Sequence, residues 1–256
     1  MAGRLFKHRF YRDIESGCMK LITTSWDDGH PMDLKLAELL EKYNLPGTFY
    51  IPKKNAEHAV MDENTILDLS KKFEIGGHTL NHVRLYGNKP EGFLDAEIKG
   101  CFIWLKDLLG HDPVSFCFPG GVINKAAINA VKDAGFKVMR TTELFSTAVT
   151  STYNLNPTTL QVFDHNQIAY FKNTLKRYKY KSLITWMASN CSDDILKLVD
   201  FYLTQVTKND GCFHLWGHSW EIEQYNLWNK LEVVFKRLSG ISGFKYIQNK
   251  CLISTV

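Results

Sequence analysis

The strongest constraint on the fold is an alternation, repeated along the chain, of short β-rich runs with segments whose apolar residues recur at helical spacing. Residues 21–26 read as a strand, and residues 32–43 as a helix carrying Leu34, Ala37, Leu39 and Leu40. Leu45-Pro46-Gly47 breaks the chain before a second strand at residues 48–51. A helix over 65–72 and an extended stretch over 73–75 follow, ending at Gly76-Gly77. The spacing predicts one amphipathic helix over 93–109, stopped by Gly110. Then come a strand at 114–118, a helix at 126–134 stopped by Gly135, and an extended run at 136–140. The middle of the chain carries no clear period. Beyond it are helices at 193–206 and 224–238, a strand at 212–216 and a last strand at 244–247. Strand-then-helix units of this kind build a parallel sheet with helices outside, open or closed into a barrel.

Composition supports one large core. The chain has 256 residues, 45% hydrophobic and 13% aromatic, enough to bury a barrel-sized interior. No internal repeat or linker-like stretch divides it. A formal net charge of +4 does not demand nucleic acid, and none is expected as a partner. The first nine residues have charge without an apolar segment, so no secretory signal and a cytoplasmic protein are expected. No run reaches the apolar length of a membrane span. Six cysteines (Cys18, Cys101, Cys117, Cys191, Cys212 and Cys251) include no Cys-x-x-Cys pair, which reads as reduced thiols rather than a zinc ribbon or disulfide framework.

In parallel α/β folds chemistry gathers at the C-terminal ends of the strands. Asp27 and Asp28 follow the first strand, His78 the third, Pro119-Gly120-Gly121 the fourth and His218 a late one. Neighbouring aspartates at a strand end point in different directions, so one can bind an ion while the other handles a proton. His78 and His82, four apart, are expected on one side of a helical turn, where they can share one ion. Together with a strand-end aspartate they supply His, His and carboxylate, a set that leaves positions open for water and substrate.

These residues resemble a known family. Ser25-Trp26-Asp27-Asp28-Gly29 is similar to the first motif of the polysaccharide deacetylases (the NodB homology domain, carbohydrate esterase family 4), usually Thr-Phe-Asp-Asp-Gly. His78-Thr79-Leu80-Asn81-His82 resembles their second motif, Phe116-Cys117-Phe118-Pro119-Gly120-Gly121 their third, and His214-Leu215-Trp216-Gly217-His218 their fifth. The resemblance implies a single domain, residues 19–256, folded as a distorted, incomplete (β/α)7-type barrel, with residues 1–18 as an extension. It implies one divalent metal, zinc first, with cobalt, iron or nickel as alternatives, held by Asp28, His78 and His82. Asp27 would be the base, His218 the acid, and a backbone N–H near Gly120 would hold the oxyanion. Pro119 and Trp216 would face the substrate, an N-acetylated sugar or glycan, with nucleotide- and lipid-linked forms included. Oligomeric state is left open. Release of a formyl group or hydrolysis of another carbon–nitrogen amide, and sugar binding without turnover, are the alternatives; retention of Asp27 beside the ligands argues against the last.

Two departures from the family pattern stand out. Cys117 replaces the arginine that orients the catalytic aspartate, and residues 136–143 lack the aspartate of the fourth motif. Arg140 is expected to reach Asp27 from this other strand, and either Glu143 or Glu221 to pair with His218. His214, deeper on the strand, is expected to be structural, while Trp216 and Trp220 suit either a sugar wall or the core. Lys172, Lys176, Arg177, Lys179 and Lys181, interleaved with Tyr178 and Tyr180, form a solvated face or meet phosphates of a carrier.

Overall fold

The computed structural model describes residues 19–87, 89–150, 154–176 and 180–253. The expected extension at 1–18, and Arg177, Tyr178 and Lys179 of the basic run, lie outside the described residues. The first half alternates as expected: β1 (Lys20–Asp27), α1 (Asp33–Lys42), β2 (Thr48–Ile51), α2 (Glu63–Ser70) and β3 (Glu74–Gly77). Then follow α3 (Gly100–Leu109), β4 (Ser115–Cys117), α4 (Lys125–Ala134) and β5 (Val138–Arg140). The unreadable middle holds two-residue strands β6 (Leu155–Asn156) and β7 (Leu160–Gln161), then helices α5 (Gln167–Lys176) and α6 (Tyr180–Ala188). The chain closes with α7 (Ile195–Asn209), β8 (Gly211–Gly217), α8 (Ser219–Gln224), α9 (Trp228–Leu238) and β9 (Lys245–Tyr246).

All strand pairings are parallel, in the order β6-β5-β4-β3-β2-β1-β8-β7, with β9 against the start of β1. The two ends of that order are one piece of chain. Leu155 and Asn156 pair with β5, Leu160 and Gln161 pair with β8, and only residues 157–159 separate them. This broken strand takes the seventh place in a distorted barrel. Thr158 and Thr159 secure the joint, the first donating to Glu143 O and the second to His214 O, each at 2.8 Å.

Period-two alternation sorts the side chains. Ile22 and Trp26 of β1, Phe49 and Ile51 of β2, and Phe213 and Leu215 of β8 turn outward into one apolar cluster with α1, α7 and α9. Phe116, Phe118 and Met139 do the same against α4. The opposite set turns inward and is mostly polar. Thr23 and Tyr50 meet Asn249, Ser25 meets His214, and Thr48 and Ser115 both donate to the buried Glu74. Asn249, fully buried in the 3-10 turn after β9, donates its amide to Tyr50 Oη at 2.9 Å and its backbone N–H to Thr48 Oγ1 at 3.0 Å. This part of the interior is therefore tied together by hydrogen bonds between buried side chains.

The helix expected over 93–109 is present and stops at Gly110 as expected, but its first half contains a wide π-turn, Asp95–Lys99, before α3. The looser turn lets Glu97 O accept from Leu80 N and its carboxylate bind Asn81 through both backbone N–H and side-chain amide. The helix expected at 224–238 starts later, as α9 at Trp228, and is parted from the unexpected short α8 where Asn226 takes a left-handed φ of 55°. His78 and His82 lie on no helix; Thr79 (φ 62°) and His82 (φ 53°) fold their segment into a tight loop held by Val83 N–H donating to Thr79 Oγ1.

A close approach also explains Gly76. A Cβ there would lie 2.7 Å from ring carbons of Tyr50 and 2.9 Å from Ser115 O. Gly76→Ala is expected to lower stability by roughly 1–3 kcal/mol, read as an earlier midpoint in urea unfolding.

Candidate active site and metal centre

The strand ends meet around a cavity of about 550 Å³. Asp27, Asp28, His78, His82, Pro119, Gly120, Trp216 and His218 all line it. Every residue picked from the sequence for this site except Arg140 is on its wall; Arg140 is fully buried behind Asp27.

Asp27, the last residue of β1, points inward, and Arg140, the last of β5, donates from Nη2 to its Oδ1. The expected reach across the barrel is present. The guanidinium lies between two rings, 4.6 Å from the Trp216 centroid and 5.2 Å from that of Tyr50, a cation–π clamp. Trp216 thus belongs to this clamp and leaves the cavity only its edge, with 5% of its surface exposed. Burial alone would lower the Arg140 pKa, and the Asp27 carboxylate holds it above its ordinary value. Asp27 Oδ2 is left with the Cys117 thiol at 3.7 Å. Burial pushes that thiol's pKa well up, so it sits there as a neutral group.

Asp28 turns the other way because its backbone is left-handed, with φ 81°. Its Oδ1 lies 3.0 Å from His82 Nε2 and 3.5 Å from His78 Nε2. The oxygen is buried and receives no well-directed hydrogen bond, the arrangement of three ligand atoms around a cation rather than of a donor aimed at an acceptor. His78 Nδ1 lies 2.9 Å from Cys117 O, a donor position that leaves Nε2 with its lone pair toward Asp28. Burial would raise the Asp28 carboxyl, and the two imidazoles outweigh it, holding the group below the usual carboxylate range. Asp27, His78 and Cys117 also come within 4.8 Å of one another. That second set is the poorer one, since Asp27 is committed to Arg140 and the thiol keeps its proton. Asp28, His78 and His82 therefore fit a divalent ion.

On the facing wall, His218 Nδ1 is 2.6 Å from Glu221 Oε2, and its Nε2 is 4.0 Å from Asp28 Oδ2. Glu221 is the partner because α8 starts at Ser219 and brings residue 221 back over residue 218. Glu143 instead accepts from Ser182 Oγ at 3.0 Å. Burial lowers the His218 pKa, but Glu221 and the two aspartates raise it further, to about 9. His214 is buried below, 2.8 Å from Ser25 Oγ, and burial keeps it neutral. Sequence reasoning left the role of Trp220 open and missed Tyr50. Trp220 donates its indole N–H to Asp28 Oδ2 at 2.8 Å and stacks on His58 at 4.0 Å. Tyr50 forms the lower jaw of the arginine clamp; its inward place at the end of β2 was the available signal.

Fold and geometry together define an α/β-barrel protein with a candidate catalytic metal centre at its strand ends. Residues 15–139 match the family model described as polysaccharide deacetylase. The peptidoglycan-N-acetylglucosamine deacetylase of Bacillus cereus is 26% identical over 125 residues, 47% of this chain and 55% of that protein. The match thus spans about half the length of the curated relative. Among solved structures, the chitin deacetylase of the fungal pathogen Colletotrichum lindemuthianum superposes with a TM-score of 0.57 at 13% identity, covering 93% of this chain and 89% of that one. A family 4 acetyl xylan esterase from Clostridium thermocellum, in complex with a cobalt ion, gives 0.56 at 16% identity, covering 91% and 89%. At these identities the likeness is one of fold.

Removing the arginine would strand Asp27 as a buried charge. Arg140→Ala is expected to cost about 3–5 kcal/mol of stability while leaving metal uptake by Asp28, His78 and His82 intact, as measured by denaturant unfolding beside calorimetric zinc titration.

Proposed function

We propose that this chain is a metal-dependent hydrolase that removes an N-acetyl group from an N-acetylated sugar or glycan. The observation that carries the reading is the divergence of two adjacent carboxylates. Asp28 faces His78 and His82, while Asp27, on the wall of the same cavity, is held apart by Arg140. A site built only to bind an ion has no use for the second carboxylate.

A divalent ion held by Asp28, His78 and His82 would supply a water of lowered pKa and polarise the acyl carbonyl. The mixed nitrogen and oxygen ligand set suits zinc, with cobalt, iron or nickel as further candidates. Asp27 accepts the proton that the attacking water releases, at Oδ2, because Arg140 occupies Oδ1. Water adds to the acyl carbon, the carbon–nitrogen bond breaks, and the amine leaves only when protonated. His218 Nε2 delivers that proton, while Glu221 holds Nδ1–H and keeps the ring oriented. The Gly120 backbone, at the cavity wall, is the proposed oxyanion donor. Nucleotide- and lipid-linked sugars are included in the substrate class.

The reading predicts that a chelator abolishes amine release and that added zinc restores it, with N-acetyl sugars favoured over N-formyl sugars in a panel of both. Asp27→Asn is expected to lower kcat roughly 10²–10⁴-fold with metal content unchanged, measured by free-amine assay and elemental analysis. Loss of metal in that variant, or activity that survives complete metal removal, would overturn it.

A pH effect follows from His218. Its donating form is present below its pKa and is lost as pH rises through it, so it sets the alkaline limb of kcat/KM. Glu221 is the chief influence raising that pKa. Glu221→Gln is therefore expected to move the alkaline limb to lower pH and leave the acid limb in place. A bound cation pushes the histidine the other way, so the direction of the shift is the quantity to read.

A further inference from the structure

The four most exposed large hydrophobic side chains among the described residues all sit on one pair of helices. They are Ile168 of α5 (63%) and Tyr180, Ile184 and Met187 of α6 (60%, 67% and 56%). Their spacing, i, i+4 and i+7 along α6, makes a stripe rather than scattered exposure. The opposite sides of the same helices are buried: Tyr170 and Trp186 meet at 6.0 Å and both pack on Phe145. Because both inner faces rest on one aromatic cluster, both outer faces point away from the barrel together.

Along the sequence of this helix pair the charge is one-sided. Residues 165–192 contain five lysines and arginines and no aspartate or glutamate, in a chain with 27 acidic residues. Lys172 and Lys181 are exposed beside the apolar stripe. Apolar side chains flanked by basic ones, on helices too short to cross a bilayer, are the composition of an interfacial element. We infer that the outer face of α5 and α6 docks this protein on an anionic lipid bilayer.

Charge complementarity selects this occupant. A second copy meeting the face across a twofold axis would set lysine against lysine, whereas an anionic headgroup layer attracts every one of them. The lysine stems can lie along the apolar stripe while their ammonium groups reach the phosphates. The helices also frame the cavity, for Tyr170 and Ser182, from their inner sides, are part of its wall. Docking would therefore hold the cavity next to the headgroups. Taken with the hydrolase reading, on which this last step alone rests, the substrate class becomes an N-acyl sugar carried on a lipid.

The test is sedimentation of the metal-loaded protein with phosphatidylcholine vesicles and with vesicles that also contain phosphatidylglycerol. Binding to the anionic vesicles, weak on phosphatidylcholine alone and suppressed by high salt, is expected. Ile184→Glu with Met187→Glu should weaken it about tenfold or more, with melting temperature and zinc content unchanged. Lys172→Glu with Lys181→Glu should weaken it and flatten its salt dependence. Wild-type protein left in the supernatant with anionic vesicles overturns the inference, as does undiminished binding by both double variants. So does a vesicle-free dimer that Ile184→Glu with Met187→Glu turns to monomer, which would make the stripe a self-interface. No turnover is needed, so failure here is separable from failure of the hydrolase reading.

Discussion

The buried ion pair between Arg140 and Asp27 is the interaction on which the rest of the site depends. Taking both charges out of water costs several kcal/mol each, and mutual attraction repays it only with good geometry. Here geometry comes from the barrel. β1 and β5 stand with three strands between them in the sheet, and each ends on an inward position. Two aromatic faces supply what hydrogen bonds do not, since Arg140 Nε and Nη1 have no hydrogen-bond partner and the guanidinium plane is held by Tyr50 and Trp216. The clamp in turn needs Gly76, whose missing side chain gives the Tyr50 ring its place.

This pairing also divides labour between neighbours of identical chemistry. Asp27 and Asp28 differ by one backbone turn: the first keeps strand geometry and meets a cation inside the barrel, and the second is left-handed and meets two imidazoles at the rim. Environment, not residue type, separates a group suited to hold an ion from one suited to accept a proton. The same holds for the two histidines of β8 and its exit. His214 is buried and kept neutral by desolvation, while His218, four residues on, is raised by Glu221.

Much of this was legible because strands alternate faces and end at glycine or proline. Asp27, Asp28, His78 and His218 could be placed at strand ends from the sequence alone, and Arg140 was sought because Cys117 stands where an arginine was expected. Other features left no such trace. The π-turn before α3 adds a residue to a helical pattern without disturbing its apolar side, so the segment reads as one helix. A spacing of four fits a helical turn, but the His78–His82 loop satisfies it through two left-handed residues. Glu143 and Glu221 were indistinguishable until α8 fixed the direction of return. Two-residue strands such as β6 and β7 carry no period at all. The family match ends at residue 139, one position short of the arginine that pairs with Asp27.

Asn249 gives this architecture an order in time. It lies at the barrel floor, bonded to Thr23, Tyr50 and Thr48, all from the first fifth of the chain. A nascent polypeptide that has not yet released residue 249 from the ribosome lacks this plug, and the Tyr50 hydroxyl then has no amide to hold it. The early motifs, although synthesised first, must wait for a late residue before their scaffold locks. This centre is consequently completed by long-range docking and not by the folding of any one segment.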